Sequence, residues 1–120
     1  MMHKRHTDLK FLKENTLGNS AYIAELIELF LSTTPLMVAD LKRCYKTNDW
    51  NALRKVAHKL KSNLHTMGIE ETYSSIAKLE TLPENDIEIE KIGLLVEKID
   101  KVVELSYQEL NEELKTLKKK

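Results

Sequence analysis

The chain has 120 residues, of which 42% are hydrophobic and 32% are charged, with 19 basic and 19 acidic side chains in balance. This length is typical of a single domain with one buried core. A neutral balance lacks the basic excess that nucleic-acid binding requires, so we expect no nucleic-acid partner. The one cysteine, Cys44, excludes an internal disulfide framework. We find neither a secretory leader nor an apolar run of about 18 residues, so we expect a cytoplasmic protein with no membrane contact.

The first half of the chain predicts two helices, at about residues 8–15 and 21–46. In the second of these, apolar residues recur at steps of three and four, which is the spacing of one helical face. Pro35 lies inside this run and is expected to bend or briefly break the helix near Thr33 and Thr34. The reason is that proline lacks the backbone amide and clashes with the preceding turn.

Three further helices are predicted at about residues 50–67, 70–82 and 87–118. Asn48 and Asp49 are placed to cap the first of them, and Gly68 is its expected helix-terminating residue because glycine is favoured just past a helix end. Short loops between long helices make neighbours antiparallel. The expected fold is therefore all-α, an up-down antiparallel four-helix bundle with a short extra N-terminal helix, formed by the whole chain as one domain.

The predicted third helix has two different faces when its residues are placed at about 100° intervals. One face is apolar and is expected to join the core; it consists of Leu53, Val56, Ala57, Leu60, Leu64 and Met67. The other face is a polar stripe, which consists of Arg54, His58, Lys61, Ser62 and His65. An imidazole on this stripe lies in water, where it is largely neutral and nucleophilic near pH 7.

The stretch AHKLKSNLHTMGIEETYSSIAKLE, residues 57–80, has a lysine three positions after His58 and a glycine ten positions after it. It resembles the histidine-containing phosphotransfer (HPt) domain, in which this pattern marks the phosphorylated helix and its end. The preceding helix and turn extend the resemblance to most of residues 20–80. The resemblance implies that His58 accepts a phosphoryl group from a receiver-domain aspartate and passes it to another receiver. The partners would be response regulators or hybrid histidine kinases.

Neighbouring polar residues are expected to support the phosphoryl group. Lys61 and Arg54 can supply positive charge to its oxygens, and Ser62 can donate a hydrogen bond. Ser62 stands where the family often has glycine, and His65 stands where the family usually has a small residue. The His65 imidazole can therefore either hydrogen-bond the phosphoryl group or obstruct a docking partner.

Other chemistries have weaker support. His58 and His65 are seven residues apart, too far for a zinc-chelating helical pair, while His3 and His6 lie in a terminus expected to be mobile, so we expect no metal site. No glycine-rich phosphate loop is present, so we expect no ATP binding, no cofactor and a phosphocarrier rather than a kinase. We also expect a monomer.

Two rival functions stay open. The chain can be a non-catalytic helical adaptor that buries an apolar strip of its last helix against another protein. It can also be a degenerate HPt domain that docks receivers without accepting phosphate. Burial of His58, or its pairing with a core carboxylate, would favour the adaptor. For a relay, the expected docking surface is Leu9, Phe11 and Leu12, with residues 33–37 of the second helix.

Overall fold

The computed structural model describes residues 5–119, so His3 lies outside the described part of the chain. Within this described range there are five α-helices: α1 (Lys10–Asn15), α2 (Ser20–Lys46), α3 (Trp50–Thr66), α4 (Tyr73–Glu80) and α5 (Ile89–Lys118). The predicted all-α class and the short extra N-terminal helix are confirmed. The predicted fourth helix is too long, because its first residues, Glu70–Thr72, form a 3₁₀ turn and the helix ends at Glu80, two residues earlier than predicted.

The four longer elements form a ring in which each helix contacts the two beside it. α2 packs against α3 and α5, and α4 closes the ring by packing against the same two helices. Phe30 meets Tyr107 edge-on, while Tyr45 near the end of α2 lies against Gly93 near the start of α5. This crossing of early with late positions is the antiparallel order that short connections impose. The centre of the ring is a continuous apolar core, which includes Ile27, Leu41, Leu53, Leu60, Ile76 and Ile99.

α2 runs without interruption through Pro35, so the break expected there is not found. A proline inside a helix costs about 3 kcal/mol, because it removes one backbone hydrogen bond and its ring clashes with the preceding turn. Residues on both sides of the proline are anchored in the core, because Phe30, Thr34 and Val38 are all buried. Packing against α3 and α5 therefore holds the helix together across the local defect.

α2 is also long and apolar enough, by length and composition, to cross a membrane. It has 27 residues and contains an 18-residue window of mean hydropathy 1.4, which the sequence interpretation had not recognised. Its buried side supplies Ile23, Ile27 and Leu41 to the bundle core. Core helices of folded bundles meet the same criteria, so this property by itself carries little weight.

α3 ends in a left-handed turn at Gly68, where φ is 61°. The Gly68 amide donates to the carbonyl of His65 at 3.1 Å, and the Ile69 amide donates to the carbonyl of Leu64 at 3.0 Å. These two bonds form a Schellman motif, which satisfies carbonyls that a helix end would leave without partners. Ile69 and Leu64 are both fully buried, so the motif also joins the turn to the core.

The same turn supports the chain that enters α1. A Cβ atom on Gly68 would lie 2.2 Å from the carbonyl oxygen of Asp8, so only glycine admits this close backbone contact. The Asp8 amide in turn donates to the carbonyl of Met67 at 3.1 Å. The N-terminal segment, residues 5–18, is therefore seated directly on the connection between α3 and α4.

Glu109 of α5 holds the start of this segment in what we call the N-terminal clasp. Its carboxylate accepts hydrogen bonds from the His6 amide at 2.6 Å, the Thr7 amide at 3.0 Å and the Thr7 hydroxyl at 2.9 Å. His6 Nδ1 also lies 2.7 Å from a carboxylate oxygen of Glu71. The expectation of a mobile terminus is therefore wrong for His6, because distant carboxylates satisfy its backbone and its ring.

α1 turns one side toward the core. Leu9 and Leu12 are only 6% and 3% exposed, so the expectation that they belong to a docking surface is wrong. Phe11 is 59% exposed, because it lies on the opposite side of this short helix.

We predict that Gly68→Ala lowers the free energy of unfolding by about 2–4 kcal/mol. About 1 kcal/mol is left-handed strain, and the rest is the backbone contact with Asp8. Gly18→Ala is the matched control, since Gly18 has φ 72° but nothing lies within 4 Å of the point that its Cβ atom would occupy. Gly18→Ala should therefore lower the free energy of unfolding only by the left-handed strain, about 1 kcal/mol. Urea unfolding followed by circular dichroism compares the two, and equal losses would contradict the close contact.

Candidate functional site

α3 places the His58 side chain in solvent. Asp49 caps the start of the helix, because its carboxylate accepts a hydrogen bond from the Ala52 amide at 3.1 Å. Its core face is fully buried through Leu53, Ala57, Leu60 and Leu64. His58 lies on the opposite side, and 69% of its side chain is exposed.

Glu80, the last residue of α4, lies beside this imidazole. The Glu80 carboxylate pairs with His58 Nδ1 through the same oxygen that accepts from the Lys61 ammonium at 3.0 Å. Its second oxygen lies 2.8 Å from the Lys61 nitrogen. The carboxylate therefore joins His58 and Lys61 in one three-residue cluster, which we call the His58 cluster.

The charge state of Glu80 decides which ring nitrogen of His58 carries a hydrogen. The hydrogen bond from Lys61, followed by that from His58, holds the pKa of the Glu80 carboxyl below its usual range. The group is therefore ionised near neutral pH, and an ionised carboxylate only accepts hydrogen bonds. His58 Nδ1 must then be the donor, so in the neutral ring Nε2 keeps its lone pair.

Glu80 is at the rim of the bundle rather than in its core. Its side chain keeps 18% exposure, and it is not a member of the buried apolar cluster. His58 is thus neither buried nor paired with a core carboxylate, so neither of the two conditions that would favour an adaptor is met.

The remaining residues of the polar stripe have different surroundings. The Arg54 guanidinium donates to the carbonyls of Leu82 at 3.3 Å and Pro83 at 3.4 Å, so it braces the loop after α4. Lys61, rather than Arg54, is the cation that shares a partner with His58. Ser62 lies one turn after His58.

His65 stacks on an aromatic ring. Its imidazole lies parallel to the Tyr73 ring, with an interplanar angle of 7° and 3.9 Å between centroids. Tyr73 is the first residue of α4, and burial followed by the charges of Glu70 and Asp8 raises the pKa of its phenol. His65 is therefore engaged two turns away from His58, and the structure does not bring the two imidazoles together.

The sequence interpretation missed Glu80 as the partner of His58. The residue ended the stretch that carries the family resemblance, but it is 22 positions from His58. Helical periodicity does not predict how two helices are aligned, so no local signal pointed to this pair. Between residues 5 and 119 there is no group of three His, Cys, Asp or Glu side chains that could hold a metal ion.

A family model described as the Hpt domain matches residues 25–119. The chain belongs to the HPt domain family. Members act in phosphorelays by histidine phosphotransfer, as phosphocarriers rather than kinases, and interact with receiver domains. No curated protein and no solved structure matches this HPt chain. The matched range begins inside α2 and extends through α5.

We predict that Lys61→Ala raises the pKa of the Glu80 carboxyl toward its usual value. The substitution removes the Lys61 hydrogen bond, which lowers this pKa more than the His58 hydrogen bond does. His58→Gln should raise this pKa by a smaller amount. A carboxyl-detected NMR titration measures both changes. Lys59→Ala is the matched control, since Lys59 is exposed on α3, whereas the side chains that hold the Glu80 pKa down are Lys61 and His58. An unchanged Glu80 titration in Lys61→Ala would contradict the geometry.

Proposed function

We propose that this chain is a phosphohistidine carrier that accepts phosphoryl from a receiver aspartate on His58 and passes it to a second receiver. It acts as a cytoplasmic monomer between response regulators or hybrid kinases. The family match supports the general role. The observation that carries the choice of residue is the 69% exposure of His58 beside an ionised partner.

The transfer step needs only a nucleophile from this chain. The Nε2 lone pair of His58 attacks the phosphorus of the aspartyl phosphate while the bond from phosphorus to the aspartate oxygen breaks. The aspartate leaves as a carboxylate with that electron pair. The phosphorylated ring gains positive charge, and the Nδ1 hydrogen stays bonded to Glu80, which stabilises that charge. Return transfer is the same step in reverse.

In this proposal, Glu80 also determines how much of the Lys61 positive charge is available to the phosphoryl group. In the resting cluster its carboxylate neutralises the Lys61 ammonium, with both oxygens within 3.0 Å of Nζ. A phosphoryl group on His58 offers new anionic oxygens, which compete with Glu80 for the same ammonium. Lys61 is therefore the phosphoryl-supporting cation, while Arg54 supports the loop. Ser62 lies one turn away and can donate to the same oxygens.

A groove between α2 and α3 gives a receiver an apolar surface beside the polar stripe. It encloses about 300 Å³ and is lined by residues that include Leu29, Met37 and Thr66. Leu29 and the neighbouring Leu36 are 57% and 68% exposed. A small apolar surface next to the helix that carries His58 suits a receiver that binds briefly, exchanges the phosphoryl group and then dissociates. This groove replaces Leu9 and Leu12 as the docking surface.

We predict that His58→Gln abolishes phosphoryl uptake from phosphorylated receivers, because glutamine has no nucleophilic ring nitrogen. Exposure at this position limits the stability change to about 0.5 kcal/mol. Labelling with ³²P-phosphorylated receivers, with acid and base treatment to identify phosphohistidine, measures uptake. His65→Gln is the matched control and should still be labelled. Labelling that persists in His58→Gln would contradict the assignment, and a wild type that binds receivers without uptake would indicate the docking-only alternative.

We predict that Glu80→Gln slows transfer by about tenfold. The glutamine amide can still hydrogen-bond Nδ1, but it cannot stabilise the positive charge of the phosphorylated ring. Because the site is open to solvent, we expect the rate to fall less than when an enzyme loses a general base. Single-turnover transfer measures the rate. Glu84→Gln, an exposed change in the following loop, should leave the rate as it is. A wild-type rate in Glu80→Gln would make this carboxylate a surface residue.

A further inference from the structure

The backbone that follows Glu80 is held by Arg54, which lies on the polar stripe one turn before His58. The Nη1 atom of Arg54 donates to the carbonyl of Leu82 at 3.3 Å and to that of Pro83 at 3.4 Å. Among the described residues, no other side chain from outside the α4–α5 connection hydrogen-bonds the backbone of that connection. Arg54 is therefore the polar tie between α3 and the chain that leaves α4.

The end of α4 is thus tied to α3 in two ways. The Glu80 side chain meets His58 and Lys61, while the backbone just after it meets Arg54. Hydrogen bonds from Lys61 and then His58 are what hold the pKa of the Glu80 carboxyl down. Arg54 reaches Glu80 through the backbone instead, because it contacts the carbonyls of the second and third residues after Glu80.

An open groove borders the same connection on its α5 side. It encloses about 480 Å³, and its lining includes Leu82, Pro83, Ile87 and Leu95. The described lining comes from α4, the connection and the start of α5, and includes no residue of α3. The connection therefore has room to shift toward α5 when the hydrogen bonds from Arg54 are removed, and the last turn of α4 would shift with it.

We propose that Arg54 is a positioning residue for phosphoryl transfer, which fixes the last turn of α4 so that Glu80 meets Nδ1 of His58. This inference rests on the proposed function. A neutral imidazole without a fixed acceptor at Nδ1 can carry its hydrogen on either ring nitrogen. The tautomer with its hydrogen on Nε2 has no lone pair there for the attack on phosphorus. Arg54 thus raises the fraction of His58 rings that are ready to react, without touching the phosphoryl group.

The first test measures the His58 tautomer in the full chain with no phosphoryl donor present. Arg54→Met keeps a long unbranched side chain in the helix but has no hydrogen-bond donor. The ¹⁵N shifts of the neutral His58 ring should move toward those of the tautomer with hydrogen on Nε2. The pKa of the Glu80 carboxyl should rise toward its usual value, because the hydrogen bonds from Lys61 and His58 weaken. Unchanged ring shifts and an unchanged Glu80 titration overturn the inference, whatever happens to stability.

The second test measures the rate at which phosphoramidate labels His58, since this small donor needs no docked receiver. Arg54→Met should slow labelling about threefold, which is the effect of one typical hydrogen bond. In a Glu80→Ala background, the same change should cause no further loss, because two residues that act through one contact are not additive. An equal loss in both backgrounds overturns the inference, because Arg54 would then act as a cation on the phosphoryl group itself.

Arg43→Met is the matched control for the lost charge. The Arg43 guanidinium pairs with Asp40 one turn earlier on α2, and the residue is exposed. The substitution should leave the His58 ring shifts, the Glu80 titration and the labelling rate as they are. Changes equal to those of Arg54→Met would show that net charge matters rather than the position of α4, and would overturn the inference.

The outcomes separate this inference from the proposed function, because the NMR measurements need no phosphoryl transfer. If a phosphorylated receiver labels His58 but Arg54→Met leaves the ring shifts and the Glu80 titration unchanged, the positioning role fails and the proposed function stands. If neither phosphoramidate nor any phosphorylated receiver labels the wild type, the proposed function fails and this inference falls with it.

Discussion

The left-handed turn at Gly68 determines where the functional groups of this bundle lie. It reverses the chain after α3 and sends α4 back along the same helix, so that Tyr73 lies over His65 and Glu80 lies beside His58. It also admits the backbone of Asp8 at a distance that any side chain would exclude. Both the His58 cluster and the placement of α1 therefore depend on one residue that has no Cβ.

The exposed position of His58 depends on the burial of the opposite side of α3. Four leucine and alanine side chains without measurable exposure fix the rotation of the helix about its axis. A rotation that buried the imidazole would bring these apolar groups into water, at a cost of about 25 cal/mol for each Å². Core packing is thus what keeps the proposed phosphoacceptor available to a partner.

Glu80 contacts both Lys61 and His58 from a position at the rim of the bundle. It pairs with Lys61 and His58 and remains partly exposed, so its contacts can rearrange during the phosphoryl transfer that we propose at His58. A deeply buried carboxylate would hold both partners too firmly for such an exchange, because low dielectric strengthens every ionic contact. The rim position of Glu80 fits a carrier that must be both loaded and unloaded.

The sequence by itself determined the helical class, the apolar and polar faces of α3, and the end of that helix near Gly68. These features come from local periodicity and from the conformational freedom of glycine, which short stretches of sequence record. It misjudged Pro35, Leu9 and Leu12, where packing between helices outweighs local tendency. Only the tertiary structure decided that Glu80 meets His58 and that Glu109 holds His6, pairs separated by 22 and 103 residues. Such pairs depend on how the helices are aligned and on where the N-terminal segment packs. The packing of the whole core sets both of these, and no single segment of sequence does.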